Sequence, residues 1–135
     1  MRRKSVAILI GVLVVVAFTA SACEVSVSTA NISEAWTSAD EAGDERTTVF
    51  AQDQDFYVQV QLKNAPDDTT LKATWTAVDV EDADPNLLID EVELTAGDGQ
   101  HQFSLTNDSL WPLGSYKVDL YLNAELAQTV EFEVQ

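Results

Sequence analysis

A group of side chains that could bind a metal ion lies in an acidic stretch of the chain, residues 82–93. Oxygen-bearing side chains occupy its first, third, fifth, ninth and twelfth positions: Asp82, Asp84, Asn86, Asp90 and Glu93. Calcium takes about six to eight oxygen ligands, and calcium-binding loops supply them at this spacing. Asp79 and Glu81, just upstream, would add two carboxylates. The spacing therefore indicates a candidate calcium or other cation site within residues 79–93.

Three features of the same stretch oppose a calcium site. Leu87 stands at the sixth position, where the sharp turn of a calcium loop needs glycine, and Pro85 stiffens the fourth. The residues from 88 onward read as a strand, in which Asp90 and Glu93 would point to opposite faces. The alternative interpretation is an acidic, solvated loop that leads into an ordinary strand.

Side chains for acid–base or nucleophilic catalysis are scarce. The sequence has one histidine, His101, so a second imidazole for a zinc site is missing. His101 lies on the inward-facing register of its segment, which favours a neutral, packed side chain. The sequence contains neither a Gly-x-Ser-x-Gly elbow nor a phosphate-binding glycine loop. We therefore expect no enzymatic activity and no catalytic residues.

The N-terminal segment reads as an export signal followed by a modifiable cysteine. Residues 2–4 are positively charged, and residues 6–19 form an apolar run that is short for a membrane span. The run leads into Ala-Ser-Ala-Cys at residues 20–23, and Cys23 is the single cysteine of the sequence. A lone thiol in an exported protein cannot form an internal disulfide, so a different role for Cys23 is favoured.

The residues around Cys23 resemble a bacterial lipobox, in which the cysteine is acylated and becomes the new N-terminus. The resemblance implies a lipoprotein signal peptide at residues 1–22, followed by a lipidated Cys23 and a short tether at 23–31. Fatty acyl chains such as palmitate would then hold the following domain on the bacterial cell membrane or envelope, outside the cytoplasm. An ordinary secretory signal cut after Ala22 and an uncut membrane anchor are the alternatives.

The charge balance excludes two classes of partner. The sequence has 23 acidic and 7 basic side chains, a formal charge of −16. Three of the basic residues lie at positions 2–4, so the chain after residue 22 carries four basic and 23 acidic side chains, a difference of −19. Such an acidic surface repels nucleic acid and anionic lipid. It would attract a cation or a basic partner, or serve only to keep the domain soluble.

Alternating apolar and polar residues predict an all-β domain over residues 32–135. The predicted strands are 32–36 with a second half at 47–50, 55–64, 69–79, 88–95, 100–106, the later part of 110–123, and 126–134. Each alternates in the manner of Phe56, Val58 and Val60, which would face inward together. Turn residues recur about every 8 to 12 positions, as is typical of a two-sheet sandwich.

The spacing Leu110-x-Pro112-x-Gly114-x-Tyr116 resembles the tyrosine corner of immunoglobulin-like and fibronectin type III-like domains. In that corner the tyrosine hydroxyl bonds to the backbone upstream and fixes a crossover between sheets. Trp75, in the third predicted strand, stands where these domains commonly bury a tryptophan. The resemblance implies a seven-stranded antiparallel immunoglobulin-like sandwich.

The cysteine pair of immunoglobulin domains is absent from this sequence. Val60 and Val118 stand at the matching inward positions, so the fold must rest on apolar packing. The later part of the chain also resembles small bacterial lipoproteins with one immunoglobulin-like domain, a likeness that implies a fold and a location but no activity.

One predicted sheet face offers an amphipathic surface for a partner. Tyr121, Thr74 and Thr76 would lie together on the outer face of the third and sixth strands, where they could contact a protein or a polysaccharide. Our leading hypothesis is a membrane-anchored, non-catalytic module that binds such a partner or assists assembly in the envelope. The alternatives are a cation-binding module built on residues 79–93 and an accessory subunit of a larger enzyme.

Overall fold

Eight strands and the turns between them make up residues 29–135, the part of the chain that the computed structural model describes. The strands are β1 (Asn31–Ser38), β2 (Val49–Phe50), β3 (Phe56–Lys63), β4 (Thr70–Val80), β5 (Leu87–Thr95), β6 (Gly99–Leu105), β7 (Gly114–Leu122) and β8 (Glu125–Val134). One sheet has the order β1-β3-β6, and the other has the order β2-β8-β7-β4-β5. Within residues 29–135 there is no helix, so the predicted all-β, two-sheet architecture is confirmed.

The core lies between the two sheets and follows the alternation of the sequence. The three-stranded sheet contributes the fully buried Val58 and Val60 of β3 to this core, and the five-stranded sheet contributes the fully buried Val118 of β7. In the five-stranded sheet, Val118 pairs with Trp75 on β4 and with Val130 on β8, so one row of inward side chains crosses three strands. Residues two apart on a strand share a face, which is why these positions meet in the core.

Residues 29–135 contain eight strands, where the sequence predicts seven. Residues 47–50 do not continue the edge of β1. Instead, Val49 and Phe50 form β2, which pairs in parallel with Glu133 and Val134 of β8 in the other sheet. The chain makes this crossing because Phe50, 1% exposed, packs its ring against Phe132 at 5.4 Å between centroids. A local alternation pattern cannot indicate which sheet a two-residue strand joins.

The β1 strand is the first strand within residues 29–135. The β1 strand begins at Asn31, which pairs with Lys63, and the Thr29 hydroxyl donates to the Asn64 carbonyl oxygen at 3.1 Å. The predicted signal peptide at 1–22, the lipidated Cys23 and most of the predicted tether lie outside the described residues.

The tyrosine corner ties the segment before β7 to the core. The Tyr116 hydroxyl donates to the Pro112 carbonyl oxygen at 2.6 Å, and Tyr116 itself is 1% exposed. Gly114 has φ +141°, and a Cβ there would collide with the Asp79 carbonyl oxygen on β4. Glycine is therefore required for the close approach of the two backbones.

Trp111, next to the corner, closes one end of the sandwich. Its indole stacks on Phe56 at 4.5 Å between ring centroids, and its Nε1–H donates to the Gln54 carbonyl oxygen at 2.9 Å. Trp111 is 5% exposed, so both its ring and its polar atom are accommodated inside the protein.

Trp75→Ala is expected to lower the free energy of unfolding by about 3–5 kcal/mol, because it empties a large, fully buried site. Chemical denaturation of the purified protein measures this change. The control Leu126→Ala removes an apolar side chain that is 58% exposed, and it should change stability by less than about 0.5 kcal/mol. A Trp75→Ala loss below about 1 kcal/mol would contradict a central position for this residue.

Tyr116→Phe should cost about 0.5–1.5 kcal/mol near neutral pH, the net value of one hydrogen bond. Burial raises the pKa of Tyr116 from 10.0 to about 12. Between these two pH values the unfolded chain releases the phenolic proton and the folded chain keeps it, so the stability of the wild type falls as pH rises. Tyr116→Phe has no phenolic proton at this position, so its stability does not fall with pH for this reason.

Denaturation curves at pH 9, 10, 11 and 12 therefore test the Tyr116 prediction. The stability difference between wild type and Tyr116→Phe should shrink as pH rises above about 10. Leu126→Ala, which leaves every titratable side chain in place, is the control and should keep a constant difference from the wild type. A constant difference for Tyr116→Phe as well would mean that its hydroxyl is not held protonated by the fold.

Candidate binding surface

The predicted binding residues lie on the solvent side of the five-stranded sheet, here called the outer face. Cross-strand pairing sets their neighbours: Lys72 pairs with Tyr121, Thr74 with Asp119, and Thr76 with Lys117. On the far side of β7, Asp119 pairs with Thr129 and Lys117 with Glu131. On the outer face, Lys72 and Lys117 therefore have carboxylate, tyrosine and threonine side chains as their cross-strand neighbours.

Tyr121 is half-buried, and its ring already contacts a cation. The Lys72 ammonium lies 4.6 Å from the ring centroid and 3.8 Å from Oε2 of Glu91. The same Glu91 oxygen accepts a hydrogen bond from the Thr74 hydroxyl at 3.1 Å. A partner that stacks on Tyr121 would have to displace Lys72 or use the remaining part of the ring.

Asp119 lies at the centre of the outer face and is satisfied by its neighbours. It is 9% exposed, accepts a hydrogen bond from the Thr129 hydroxyl at 2.6 Å, and lies 3.4 Å from the Lys117 ammonium. Each oxygen of this carboxylate therefore has a partner on a neighbouring residue of the sheet. The centre of the outer face is thus complete without a bound group.

The structure corrects the predicted role of Thr76. Its register is outward, as the alternation predicts, but only 8% of it is exposed. The β4 strand lies inside the sheet, where Thr76 stands between Lys117 on β7 and Leu88 on β5, two longer side chains. A partner on this face could therefore contact Tyr121 and Thr74, whereas Thr76 is covered.

The predicted calcium ligands are not gathered into a metal site. Among residues 29–135, no group of three or more His, Cys, Asp or Glu side chains is arranged to hold a metal ion. Glu93 pairs with the outward Lys72 and Asp90 with the inward Trp75, so the two carboxylates belong to opposite faces of β5. Asp90 also accepts the backbone N–H of Glu91 at 2.8 Å.

The rest of the predicted metal loop forms the turn between β4 and β5. Asp82 and Asn86 adopt φ values of 60° and 57°, and the Asn86 N–H closes the turn on the Val78 carbonyl oxygen at 2.9 Å. Asp and Asn tolerate this left-handed conformation better than most residues. The sequence pattern that suggested oxygen ligands therefore reflects the needs of the turn.

His101 is half-buried, and its Nε2 lies 2.7 Å from the Gly97 carbonyl oxygen. Because a carbonyl only accepts, Nε2 carries the proton and donates it. The imidazole thus bridges β6 to the preceding turn, a structural contact.

The loop formed by residues 39–46 covers the outside of the three-stranded sheet. Residues 39–46 fold back over Gln59, which points outward on β3 but is only 1% exposed. Gln59 donates to the Glu41 carbonyl oxygen at 2.9 Å and accepts from the Gln100 side chain at 3.1 Å. Gly43, with φ +84°, passes directly over the Gln59 side chain. An outward-facing glutamine carries no burial signal in the sequence, so this cover was not predicted.

Polar contacts hold the loop itself. The backbone N–H groups of Glu45 and Asp44 donate to the Asp40 carboxylate at 2.9 and 3.1 Å, and they lower the pKa of Asp40. Arg46 forms two hydrogen bonds to Glu34, at 2.8 and 3.2 Å, and its guanidinium lies 3.9 Å from the Trp36 ring centroid. The Arg46 guanidinium therefore covers the Trp36 ring, the aromatic ring of β1 that a ligand could otherwise contact.

Within residues 29–135, no helix is long and apolar enough to cross a membrane. No protein-family model matches the sequence, and no curated protein matches it.

Solved structures share the fold at low sequence identity. An immunoglobulin-like protein from Pseudomonas aeruginosa has a TM-score of 0.54 and 15% identity, over 82% of this chain and 100% of that one. The C-terminal domain of wzt has a TM-score of 0.52 and 12% identity, over 82% and 76% of the two chains. The Pseudomonas fluorescens DNA glycosylase AlkC, bound to DNA with an abasic site analogue, has a TM-score of 0.51 and 13% identity. This match covers 80% of this chain but only 31% of the glycosylase chain.

At these identities the likeness shows the fold alone, and the fold is an immunoglobulin-like β-sandwich. The match covers less than a third of the glycosylase chain, so the activity of that protein says nothing about this one.

Millimolar calcium chloride is expected to leave the thermal unfolding temperature of the protein unchanged, because the candidate carboxylates are dispersed and Asp90 already accepts a backbone N–H. A thermal melt followed by circular dichroism measures this, with sodium chloride at equal ionic strength as the control for screening. A calcium-specific rise that is lost in Asp82→Asn with Asp84→Asn would contradict the expectation and restore the cation site.

Proposed function

We propose that this protein is a lipid-anchored, non-catalytic binding or assembly module of the bacterial cell envelope. The observation that carries the proposal is the position of Cys23, the single cysteine, directly after Ala-Ser-Ala and an apolar run. Acylation of that cysteine after cleavage at residue 22 would give the domain a membrane anchor. An uncut apolar segment, or cleavage without acylation, would leave the thiol without a role.

The spacing between Cys23 and the domain supports an anchor close to the membrane. Thr29 already bonds to Asn64, at the end of the sandwich where β1 begins. The six residue steps from Cys23 to Thr29 reach at most about 20 Å. The turns that adjoin Asn31 would therefore face the membrane, and the Trp111 end would point away from it.

Charge supports acyl chains as the means of attachment. Asp67, Asp68 and Asp98 lie in the turns of the membrane-facing end, so anionic headgroups would repel it. One acyl chain gives only marginal binding, and polybasic residues that could add to it are absent from the sequence after residue 22. The proposal therefore requires two or more chains on Cys23, as a bacterial lipoprotein cysteine carries.

The proposed role of the domain is to bind a protein or a polysaccharide. An immunoglobulin-like sandwich presents sheet faces, sheet edges and loops on a rigid core, and those surfaces are where such domains make contacts. The single histidine holds a turn through Gly97, and Asp119 is satisfied within the outer face. Both observations favour binding over chemistry.

Replacement of Cys23 by serine tests the anchor. In cells grown with labelled palmitate, the wild-type protein should carry the label and remain in the membrane fraction, and Cys23→Ser should lose all of the label. Ser26→Ala, in the tether, is the matched control and should retain it. An unlabelled wild type would refute the proposed anchor, and so would label that persists in Cys23→Ser.

A further inference from the structure

The β5 strand is a long sheet edge with a partner on one side only. It is the outermost strand of the five-stranded sheet and pairs with β4, and within residues 29–135 no strand pairs with its other side. All nine of its residues except Ile89 and Leu94 are exposed. The opposite edge of the same sheet, β2, is only two residues long. Of the two edges, β5 offers far more backbone to an added strand.

Hydrogen-bond alternation shows which backbone groups of β5 face outward. The Ala96 N–H donates to the Thr69 carbonyl oxygen at 2.8 Å, just beyond the end of the β4–β5 ladder. Backbone groups of an antiparallel strand point alternately to the two sides, so Leu94 and Val92 face β4 and Glu93 and Thr95 face away. The Glu91 N–H also faces away, and its bond to the Asp90 carboxylate agrees with that direction.

Natural edge strands usually carry features that prevent pairing with another chain. In β5 these are a register irregularity opposite Trp75 and Thr76 and the inward Asp90, and both lie before residues 91–95. Residues 87–95 contain no lysine, proline or glycine. Its exposed apolar side chains are Leu87, Leu88 and Val92, at 49%, 58% and 38% exposure. The charged side chains of the strand are all acidic: Asp90, Glu91 and Glu93.

We propose that β5 binds an extended, basic segment of a partner protein, which adds to the sheet as a further strand. Lysines at alternate positions of that segment would lie beside Glu91 and Glu93 on the outer face. Apolar residues between them would pack beside Val92 on the other face. Backbone bonds to Glu93 and Thr95 would give affinity, and the charges would select the sequence.

A second copy of this protein is a poor occupant of the same edge. A two-fold antiparallel pairing centred on residue 91 or 93 places a glutamate opposite its own copy. A pairing centred on Val92 places Glu91 opposite Glu93. Like charges directly opposite each other destabilise strand pairing, and each copy carries a large negative charge. The acidic edge therefore disfavours self-association and favours a basic partner.

This inference deepens the proposed function, on which it rests only for placing the partner in the envelope. The test uses isotope-labelled full-length protein in neutral detergent micelles, followed by nuclear magnetic resonance. The probe is the capped peptide Thr-Lys-Val-Lys-Val-Lys-Thr, and the same peptide with glutamate for lysine is its control. The basic peptide should shift the amide signals of Glu93 and Thr95 and slow their hydrogen exchange.

Charge reversal locates the site. The double variant Glu91→Lys with Glu93→Lys should bind the basic peptide at least about tenfold more weakly, since it turns two attractive cross-strand pairs into repulsive ones. Glu131→Lys with Glu133→Lys makes the same change in net charge on β8, and it should leave the affinity within about threefold. Glu93→Pro removes an outward N–H without touching the β4 ladder, and it should abolish the protection at Thr95.

Three results would overturn the proposal. The first is no response of the β5 amides to the basic peptide at millimolar concentration. The second is equal weakening by the β5 and β8 charge reversals, which would mean diffuse attraction. The third is concentration-dependent protection of the same amides without peptide, which would mean self-pairing. None of these results depends on acylation of Cys23. The proposed strand addition at β5 and the proposed lipid anchor can therefore be contradicted independently.

Discussion

The two sheets meet on the ring of Phe56, and the rest of the sandwich depends on that contact. Phe56 belongs to the three-stranded sheet and is fully buried. Its ring centroid lies 4.9 Å from those of Phe50 and Phe132 and 5.6 Å from that of Tyr116, all contributed by the five-stranded sheet. With a single cysteine in the chain, no internal disulfide can share this task. Aromatic packing therefore replaces the covalent link of immunoglobulin domains.

The sequence indicated the elements whose signals are local. Strict alternation located β3, β4, β7 and β8 to within about two residues, because one face of each strand is buried. The spacing up to Tyr116 indicated the corner, since glycine and proline are needed at fixed distances before it. These features depend on neighbouring residues alone.

Features that depend on distant parts of the chain were not predictable in the same way. The β2 strand joins the sheet of β8 because Phe50 fits between Phe56 and Phe132, contacts that no local pattern reveals. Gln59 is buried by a loop that returns from residues 39–46. Thr76 is covered by longer neighbours on two other strands. The spacing in the candidate metal loop is ambiguous because aspartate and asparagine serve turns as well as ions.

Acidic charge links the proposed anchor to the proposed docking edge. In the proposed module, it would make attachment to an anionic membrane dependent on acyl chains, and it would disfavour pairing between copies of the domain. The β5 strand runs from Leu87, near the end of the sandwich away from the tether, to Thr95, near the tether. A neighbouring envelope protein could thus meet this edge along its whole length while the domain stays close to the membrane.

The most direct test of the anchored module is the intact mass of the protein purified from its own membranes, with sequencing of its N-terminal peptide. The account predicts a mature chain that begins at Cys23 and carries diacylglycerol, with or without a further amide-linked acyl chain. A chain that begins at residue 23 without added mass, or one that retains residues 1–22, would contradict it.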